Sequence, residues 1–303
     1  MAYSADTGKG FEIFVRQASP DGQEVQITSD GRQNLQPTGS PDGKLLAYHS
    51  YSRGGIWLIP ALGGIARQLT DFGAHPAWSL DNQWIVFQSN PVTNISSNSD
   101  APSFSRGSTI WVIHPDGTGA RRITSLGVPP GGHGDPSWSP DGKHIVFATD
   151  DDIRSEVWSI APDGTGLARL SAPETHQFLV HDPIYSPDGK SVVFGARHAL
   201  WQIHVSPQTS APLGLPVQIS IASDRHIKNL AFSRDGKRLL YSAPVQTSTM
   251  LSVALSSAGQ PIGEPTMLRP DVGCRSSLPS FSPDASHIVF FPAAPARQPK
   301  SGS

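Results

Sequence analysis

The chain has 303 residues, a net charge of −2 and only 16% charged residues, so it offers no broad basic field to a nucleic-acid backbone. Its 29 glycines and 28 prolines are typical of many short strands joined by tight turns. The single cysteine, Cys274, excludes an internal disulfide and a cysteine-based zinc site, and no apolar run approaches a bilayer-spanning length.

The first residues have neither the basic segment nor the apolar segment of a signal peptide, so we expect none in this sequence. Residues 1–4 instead read like the end of a strand, and we interpret the chain as a trimmed piece of a longer precursor. Residues 11–15 and 25–28 are then predicted as the third and fourth strands of a sheet whose first two strands do not precede them.

A turn motif, in its full form Ser-Pro-Asp-Gly, recurs with gaps of 39 to 60 residues between its serines. Proline presets φ at the second turn position, aspartate accepts a backbone hydrogen bond just ahead, and glycine takes the positive φ that closes a hairpin. The spacing is typical of the blades of a β-propeller. The six copies begin at Ser40, Ser79, Ser139, Ser186, Ser233 and Ser282.

Two apolar segments after each of the first five turns, and one after the sixth, are predicted as strands. One follows the turn directly, and the other carries Ile-Trp-Xaa-Ile or a variant of it. Because both are continuously apolar, they indicate strands buried on two faces, as in blades stacked around an axis. The first group comprises residues 45–48, 84–87, 145–147, 192–194, 239–241 and 288–291, and the second comprises residues 56–59, 110–113, 157–160, 200–203 and 250–253.

The two ends of the chain complete each other. Residues 280–291 hold a first and a second strand, which are the two strands that residues 11–28 lack. Joined, the ends make one blade that closes the ring and removes exposed sheet edges. The sequence therefore predicts an all-β, six-bladed β-propeller of four-stranded antiparallel blades over residues 1–294, with a disordered tail at residues 295–303.

These repeats, together with Pro-Asp-Gly-Thr-Gly at residues 115–119 and 162–166, resemble those of TolB-like β-propellers over nearly the whole chain. The resemblance implies a bacterial protein, periplasmic or extracellular, that binds a protein as TolB binds its lipoprotein partner. Related repeats occur in prolyl-oligopeptidase-like peptidases, in oligogalacturonate lyase and in fusions to bacterial transcriptional regulators. The peptidases need a hydrolase domain, for which the chain has no room, and it has no Gly-Xaa-Ser-Xaa-Gly elbow.

Polar residues occupy one position in five of the six predicted blades. The position lies four residues before the turn serine, where the innermost strand begins beside the central channel. The connections between blades meet on this side, so we interpret the position as a ligand-binding ring at the channel mouth. The alternative is that a polar mouth simply contacts water. The five residues are Gln36, His75, Asp135, Asp182 and Asn229, and Leu278 takes the sixth position.

Histidines in the predicted connections between blades favour a second interpretation. Imidazoles near two carboxylates suit a divalent metal such as Mn, Ca or Zn. The resemblance to oligogalacturonate lyase implies a metal at the same mouth, although the ligand motif of that family is not matched residue by residue. The alternative is that these histidines are solvated polar groups. The candidate ligands are His75, His133, Asp135, His181, Asp182 and His226.

Other features of this face have two readings each. The insertion at residues 90–107 is a binding lid or an unstructured insertion. The run Asp150-Asp151-Asp152 lacks the spacing of a calcium loop, which favours a solvated acidic loop. Arginines in nearby loops, of which Arg53 is the first, are interpreted either as residues that bind an anionic ligand or as ordinary surface residues. Cys274 has no adjacent histidine and is not predicted to be catalytic.

Three functions remain open at this stage. Because no catalytic motif is recognised, the sequence favours a monomeric binding module for a protein, peptide or carbohydrate ligand. The second function is a metal-assisted carbohydrate lyase or hydrolase that uses the histidines and aspartates of the ring. The third is the sensor domain of a larger regulator.

Overall fold

The protein is a six-bladed β-propeller, as predicted. The computed structural model describes residues 2–17, 21–90, 105–151, 153–171, 179–196, 199–219, 227–243, 249–269, 276–281 and 288–292. No helix occurs within these ranges.

The N-terminal segment forms a three-stranded antiparallel sheet. Its strands are β1 (Ala2–Asp6), β2 (Phe11–Arg16) and β3 (Glu24–Gln26).

Five four-stranded antiparallel sheets follow in the described chain, and in each sheet the strands lie side by side in chain order. Blade I comprises β4 (Asn34–Gly39), β5 (Leu45–Ser50), β6 (Ile56–Pro60) and β7 (Arg67–Gln68). Blade II comprises β8 (Ala74–Trp78), β9 (Ile85–Gln88), β10 (Ile110–Ile113) and β11 (Arg121–Arg122). Blade III comprises β12 (Gly132–Trp138), β13 (Ile145–Asp150), β14 (Ser155–Ile160) and β15 (Ala168–Arg169). Blade IV comprises β16 (Val180–Tyr185), β17 (Ser191–Ala196), β18 (Ala199–His204) and β19 (Val217–Gln218). Blade V comprises β20 (Lys228–Phe232), β21 (Arg238–Ala243), β22 (Thr249–Leu255) and β23 (Pro261–Arg269).

The sixth blade is built from both ends of the chain, as predicted, but with one strand more than expected. The C-terminal strands β24 (Ser276–Phe281) and β25 (Ile288–Pro292) pair with each other. Strand β1, which was predicted only as the end of a strand, pairs with β2 along its whole length. Because β24 contacts β20, β25 contacts β1, and β1 contacts β4, the ring is closed.

The hydrophobic core lies between the blades. Ile56 and Leu58 of blade I pack in one cluster with Ile85 and Phe87 of blade II, and all four side chains are fully buried or nearly so. Blades II and III share a second cluster built in the same way, around Phe147. Burial on both faces explains why the second and third strands are continuously apolar.

The turn motif forms the hydrogen bonds that its residue types predict. In blade III, the Ser139 hydroxyl donates to Asp141 Oδ1 at 2.7 Å, and the same oxygen accepts the Lys143 N–H at 3.1 Å. Gly142 follows with φ of 70°. The equivalent turns of blades I, IV and V repeat this pattern, and in blade II Asn82 replaces the glycine with φ of 60°.

Candidate functional site

The five ring residues share an unusual backbone conformation. Each lies in the innermost strand of its blade, at a point where the pairing with the second strand shifts register. A bulge of this kind turns a side chain away from the regular alternation of the strand. The φ angles are 52° at Gln36, 55° at His75, 51° at Asp135, 47° at Asp182 and 58° at Asn229.

The left-handed conformation explains part of the residue choice at the ring. Residues other than glycine rarely adopt it, and asparagine, aspartate and histidine do so more readily than most. A proline follows four of the five ring residues, which restricts the backbone further. Residues in this conformation persist only where the surrounding structure fixes their backbone, and they cluster at ligand-binding and active sites.

Backbone N–H groups link three pairs of neighbouring ring residues around the channel. The His75 N–H donates to Gln36 Oε1 at 2.9 Å. The Asp182 N–H donates to Asp135 Oδ2 at 3.3 Å, and the Asn229 N–H donates to Asp182 Oδ2 at 2.7 Å. One oxygen of each carboxylate is therefore held by the backbone of the next blade.

The other carboxylate oxygens converge on one histidine. His75 Nε2 lies 3.5 Å from Asp135 Oδ1 and 3.7 Å from Asp182 Oδ1. Both aspartates are buried, with exposed fractions of 3% and 8%, and His75 is half-buried. Among the described residues, these three side chains are the one group of histidine and acidic ligands close enough to hold a single metal ion. The ring residues and their neighbours line a cavity of about 200 Å³.

This cluster has the donors that a divalent cation requires. One imidazole nitrogen and two carboxylate oxygens form a mixed set that suits Mn or Zn. Two ligand atoms that each lie about 2.0–2.2 Å from one ion are about 3.0–3.5 Å apart when the ligand–ion–ligand angle is about 90° to 110°. The distances of 3.5 and 3.7 Å from His75 Nε2 to the two carboxylate oxygens are close to this range. With an ion bound, the backbone N–H donors that hold the second carboxylate oxygens would be outer-shell partners, which fix ligand orientation in metal sites.

The remaining candidate ligands lie elsewhere or outside the described residues. His133 is buried, with Nδ1 2.8 Å from Thr124 Oγ1 and Nε2 2.9 Å from the Pro129 carbonyl, so the structure does not bring it into the cluster. His181 is buried beside Asp182 in β16 and is not part of the cluster either. His226 falls outside the described residues, as do Cys274 and most of the insertion at residues 90–107.

Two residues behind the ring escaped the sequence analysis. Gln88 Oε1 accepts the Asp135 N–H at 3.1 Å. His49 occupies the same position in blade I, nine residues after the turn serine, and is close enough to His75 to interact with it electrostatically. Burial lowers the pKa of His49 to about 4, so its ring is neutral at pH 7. Comparing the blades at this position, rather than at the ring alone, would have found both.

Two other features of this face are structural. Arg53 forms an ion pair with Asp30 at 3.2 Å, donates to the Tyr48 hydroxyl at 3.1 Å and lies 3.7 Å from the centre of the Trp57 ring. These contacts join blade I to the loop before it, rather than presenting the guanidinium to a ligand. Asp151 Oδ1 accepts the N–H groups of residues 153 and 154, as in an ordinary acidic turn. Asp150, however, ends strand β13 and is buried, which raises its pKa to about 6, so the prediction of a solvated loop is wrong for this residue.

Comparison with known proteins supports the fold. No protein-family profile matches the chain. A protein assigned as TolB from Agrobacterium tumefaciens superposes with a TM-score of 0.68 at 16% identity, over 96% of this chain and 99% of that one. TolB from Acinetobacter baumannii gives 0.61 at 20% identity over 88% of this chain and 64% of that one. Oligogalacturonate lyase in complex with manganese gives 0.63 at 14% identity, over 96% and 81%. The chain therefore has the fold of TolB propellers.

One curated sequence is also similar. The uncharacterized peptidase YuxL of Bacillus subtilis (strain 168) is 28% identical over 42% of this chain, which spans only 23% of the length of that protein. No described segment forms an apolar helix long enough to cross a membrane.

Proposed function

We propose that the protein is a ligand-binding propeller that uses the channel mouth, and that a divalent cation bound by His75, Asp135 and Asp182 forms part of its site. The observation that carries the proposal is the convergence of two buried carboxylates on one imidazole, with distances of 3.5 and 3.7 Å. Preference for the left-handed conformation accounts for polar residues at the ring. It does not account for the approach of the three titratable ones to one point.

The size of the cavity decides what kind of ligand fits. Its volume of about 200 Å³ is smaller than the roughly 300–1,000 Å³ of pockets that enclose a whole small ligand. The space admits one side chain or a chain terminus. Three protein ligands leave positions on the cation that oxygen atoms of the ligand would complete. A protein or peptide that inserts a carboxylate or hydroxyl group therefore fits this site better than an enclosed sugar ring.

Metal binding provides the test. The protein is purified without chelator or affinity-tag metal, and calorimetric titration with Mn²⁺, Ca²⁺ and Zn²⁺ is expected to show one ion per chain for at least one of them. The double variant D135N/D182N keeps the size of both side chains and is expected to lose this binding. The matched control D141N alters a turn carboxylate on the opposite face and is expected to keep it.

Two results would contradict the proposal. One is wild-type protein that binds none of the three ions stoichiometrically, and the other is a double variant that binds them as wild type does. In the expected case, an ion at 100 times its Kd stabilises the folded protein by about 2.7 kcal/mol. A rise in unfolding temperature should accompany binding in wild type and be absent from the double variant.

A second candidate function is a metal-assisted carbohydrate lyase. It is supported by the similarity in fold to a lyase whose structure contains manganese and by the His75 cluster. A bound cation would stabilise the charge that develops on a carboxylate or carbonyl oxygen of the substrate, and the ring aspartates would hold the cation in position. Incubating metal-loaded protein with oligogalacturonate tests this function, and no rise in ultraviolet absorbance from an unsaturated product would exclude that activity.

We also propose a periplasmic or extracellular location for the native protein, which its TolB-like fold supports. Fractionation of the source cells tests this, and recovery in the cytoplasmic fraction alone would contradict it.

A further inference from the structure

Gln36 is the ring residue of blade I, and a hydrogen bond fixes which way its amide group points. Gln36 Oε1 accepts the His75 N–H at 2.9 Å. Because a backbone N–H is always a donor, the amide atom that faces it must be the oxygen, and Nε2 must be the other amide atom. The amide of Gln36 is therefore held against the blade that supplies the histidine of the proposed cation site.

The Nε2 group of Gln36 is a donor without an acceptor. The described residues supply no hydrogen-bond partner for it. The side chain is only half-buried, and Nε2 is not one of the buried unpaired atoms, so it is accessible to solvent. Since the two atoms of one amide are about 2.2 Å apart, Nε2 lies within about 5 Å of the His75 backbone nitrogen.

This donor belongs to the same cavity as the cation site. Gln36 lines the cavity at the channel mouth together with His75, Asp135 and Asp182. These three residues come from blades II, III and IV, so Gln36 of blade I stands on one open side of the cluster. A ligand that completes the coordination of the cation from that side meets the N–H groups of Gln36.

The charges at the mouth indicate which chemical group suits this donor. A metal-bound imidazole is neutral, so the charge of a divalent cation cancels the charges of the two aspartates, and hydrogen bonding has to provide the selection. A carboxylate has two oxygens, so that one completes the coordination of the cation while the other accepts a charge-assisted hydrogen bond from Nε2. A primary amide that binds the cation through its oxygen turns its own N–H groups toward Nε2, which leaves two donors facing each other.

We infer that Gln36 makes the channel mouth specific for a carboxylate group of a peptide, which binds the cation through one oxygen and accepts a hydrogen bond from Gln36 Nε2 through the other. The inference rests on the proposed cation site, and it adds the group that is recognised and the residue that recognises it. A cavity of about 200 Å³ admits either source of such a group, a C-terminus or an acidic side chain.

Two pairs of small probes test the inference on protein loaded with the cation that the calorimetric titration identifies. N-acetylglycylglycine represents a chain terminus and N-acetylaspartate amide represents a side chain. Each is compared with its uncharged partner, N-acetylglycylglycinamide or N-acetylasparagine amide, by ligand-observed NMR up to millimolar concentration. Q36E keeps an oxygen for the His75 N–H but replaces the donor by a second oxygen. The matched control N82D makes the same change on the opposite face, where Asn82 Oδ1 accepts the Asp42 N–H at 3.2 Å.

In wild type, at least one carboxylate is expected to bind about tenfold or more tightly than its amide, the ratio expected from one charge-assisted hydrogen bond. Q36E should lower this ratio to about one, and N82D should leave it unchanged. The ratio is the informative quantity, because a glutamate that only occupied a coordination position of the cation would weaken both members of a pair equally.

Four results with cation-loaded protein overturn the inference and leave the cation site intact: wild type binds neither carboxylate, the amides bind as tightly as the carboxylates, Q36E keeps the wild-type ratio, or N82D lowers the ratio as Q36E does. If Q36E does not fold or does not bind the cation, Q36M, which removes the donor without adding charge, decides by the same ratio. If wild type binds no cation, the proposed function fails and this inference fails with it.

Discussion

Replacing Asp182 by asparagine is expected to stabilise the propeller when divalent cations are absent. The ligand atoms of His75, Asp135 and Asp182 lie within 4.8 Å of one another. The two negative charges of Asp135 and Asp182 at that separation repel each other by about 3 kcal/mol at an effective dielectric constant of about 20. Asparagine keeps an oxygen for the Asn229 N–H, which now donates at 2.7 Å to a carboxylate, and a neutral acceptor weakens that bond by about 1 kcal/mol. The net expected gain is about 2 kcal/mol.

The assay is urea unfolding of D182N and wild type at pH 8 in chelator, with D141N as a control of opposite sign. Burial raises the pKa of Asp141, but the hydrogen bonds from Ser139 and from the Lys143 N–H outweigh it and hold the pKa below its usual value. The folded state therefore favours the charged form of Asp141, and D141N should lose about 1 kcal/mol.

A ring carboxylate that serves only the fold would behave like Asp141. If D182N is less stable than wild type by 1 kcal/mol or more in chelator, the carboxylate is present for its hydrogen bond to the backbone. The ring would then be a structural feature of the bulges. A gain in stability that disappears when Mn²⁺ is added is the signature of a site that keeps its charge for a ligand.

Three further predictions concern the scaffold. Burial lowers the pKa of His49 to about 4 in the folded protein. The His49 ring is therefore protonated in the unfolded chain at a higher pH than in the folded one, and the free energy of unfolding should fall as the pH drops from about 6.5 to 4. H49Q, which introduces the residue that blade II has at this position, should remove this dependence when urea unfolding is compared at pH 5 and 7. Phe147 is fully buried in the cluster between blades II and III, so F147A should cost about 3–5 kcal/mol in the same assay, and a cost below 1 kcal/mol would contradict the packing described. Gly55 has φ of 72°, and a Cβ there would lie 1.9 Å from the Thr70 carbonyl oxygen; G55A should therefore destabilise by several kcal/mol, with G43A, where no atom lies within 4 Å of a Cβ, as the control for positive φ alone.

The repeating parts of the chain were predictable because the same physical requirement recurs in each blade. The turn beginning at Ser139 forms its two expected hydrogen bonds, and its strands have the burial on two faces that continuous apolar runs indicate. Ring closure was predictable from the complementary ends. Strand β1 was predicted only as the end of a strand, because the short segment Ala2–Asp6 has three apolar residues to identify it and lies outside the six copies of the turn motif.

The position of the ring could be predicted from sequence, but which of the candidate metal ligands lie together could not. His133 and Asp135 are two residues apart in β12, so regular alternation directs both to the same side. The register shift between Gly134 and Ser137 and the positive φ of Asp135 break that alternation. As a result, Asp135 faces the cavity at the channel, while His133 hydrogen-bonds to Thr124 and Pro129. Gly134 and Pro136 are residue types that favour a bulge in a strand, but they do not indicate which neighbouring side chain the bulge turns toward the channel.

Residues that differ between blades carry more information about function here than residues that repeat. The aspartate of the turn recurs because each hairpin needs it, so its presence says nothing about a ligand. The ring position is bulged in all five blades with described side chains, yet only His75, Asp135 and Asp182 bring titratable groups together. Bringing two carboxylates together at this point costs electrostatic energy that the repeat does not require, and a bound cation is the simplest compensation for it.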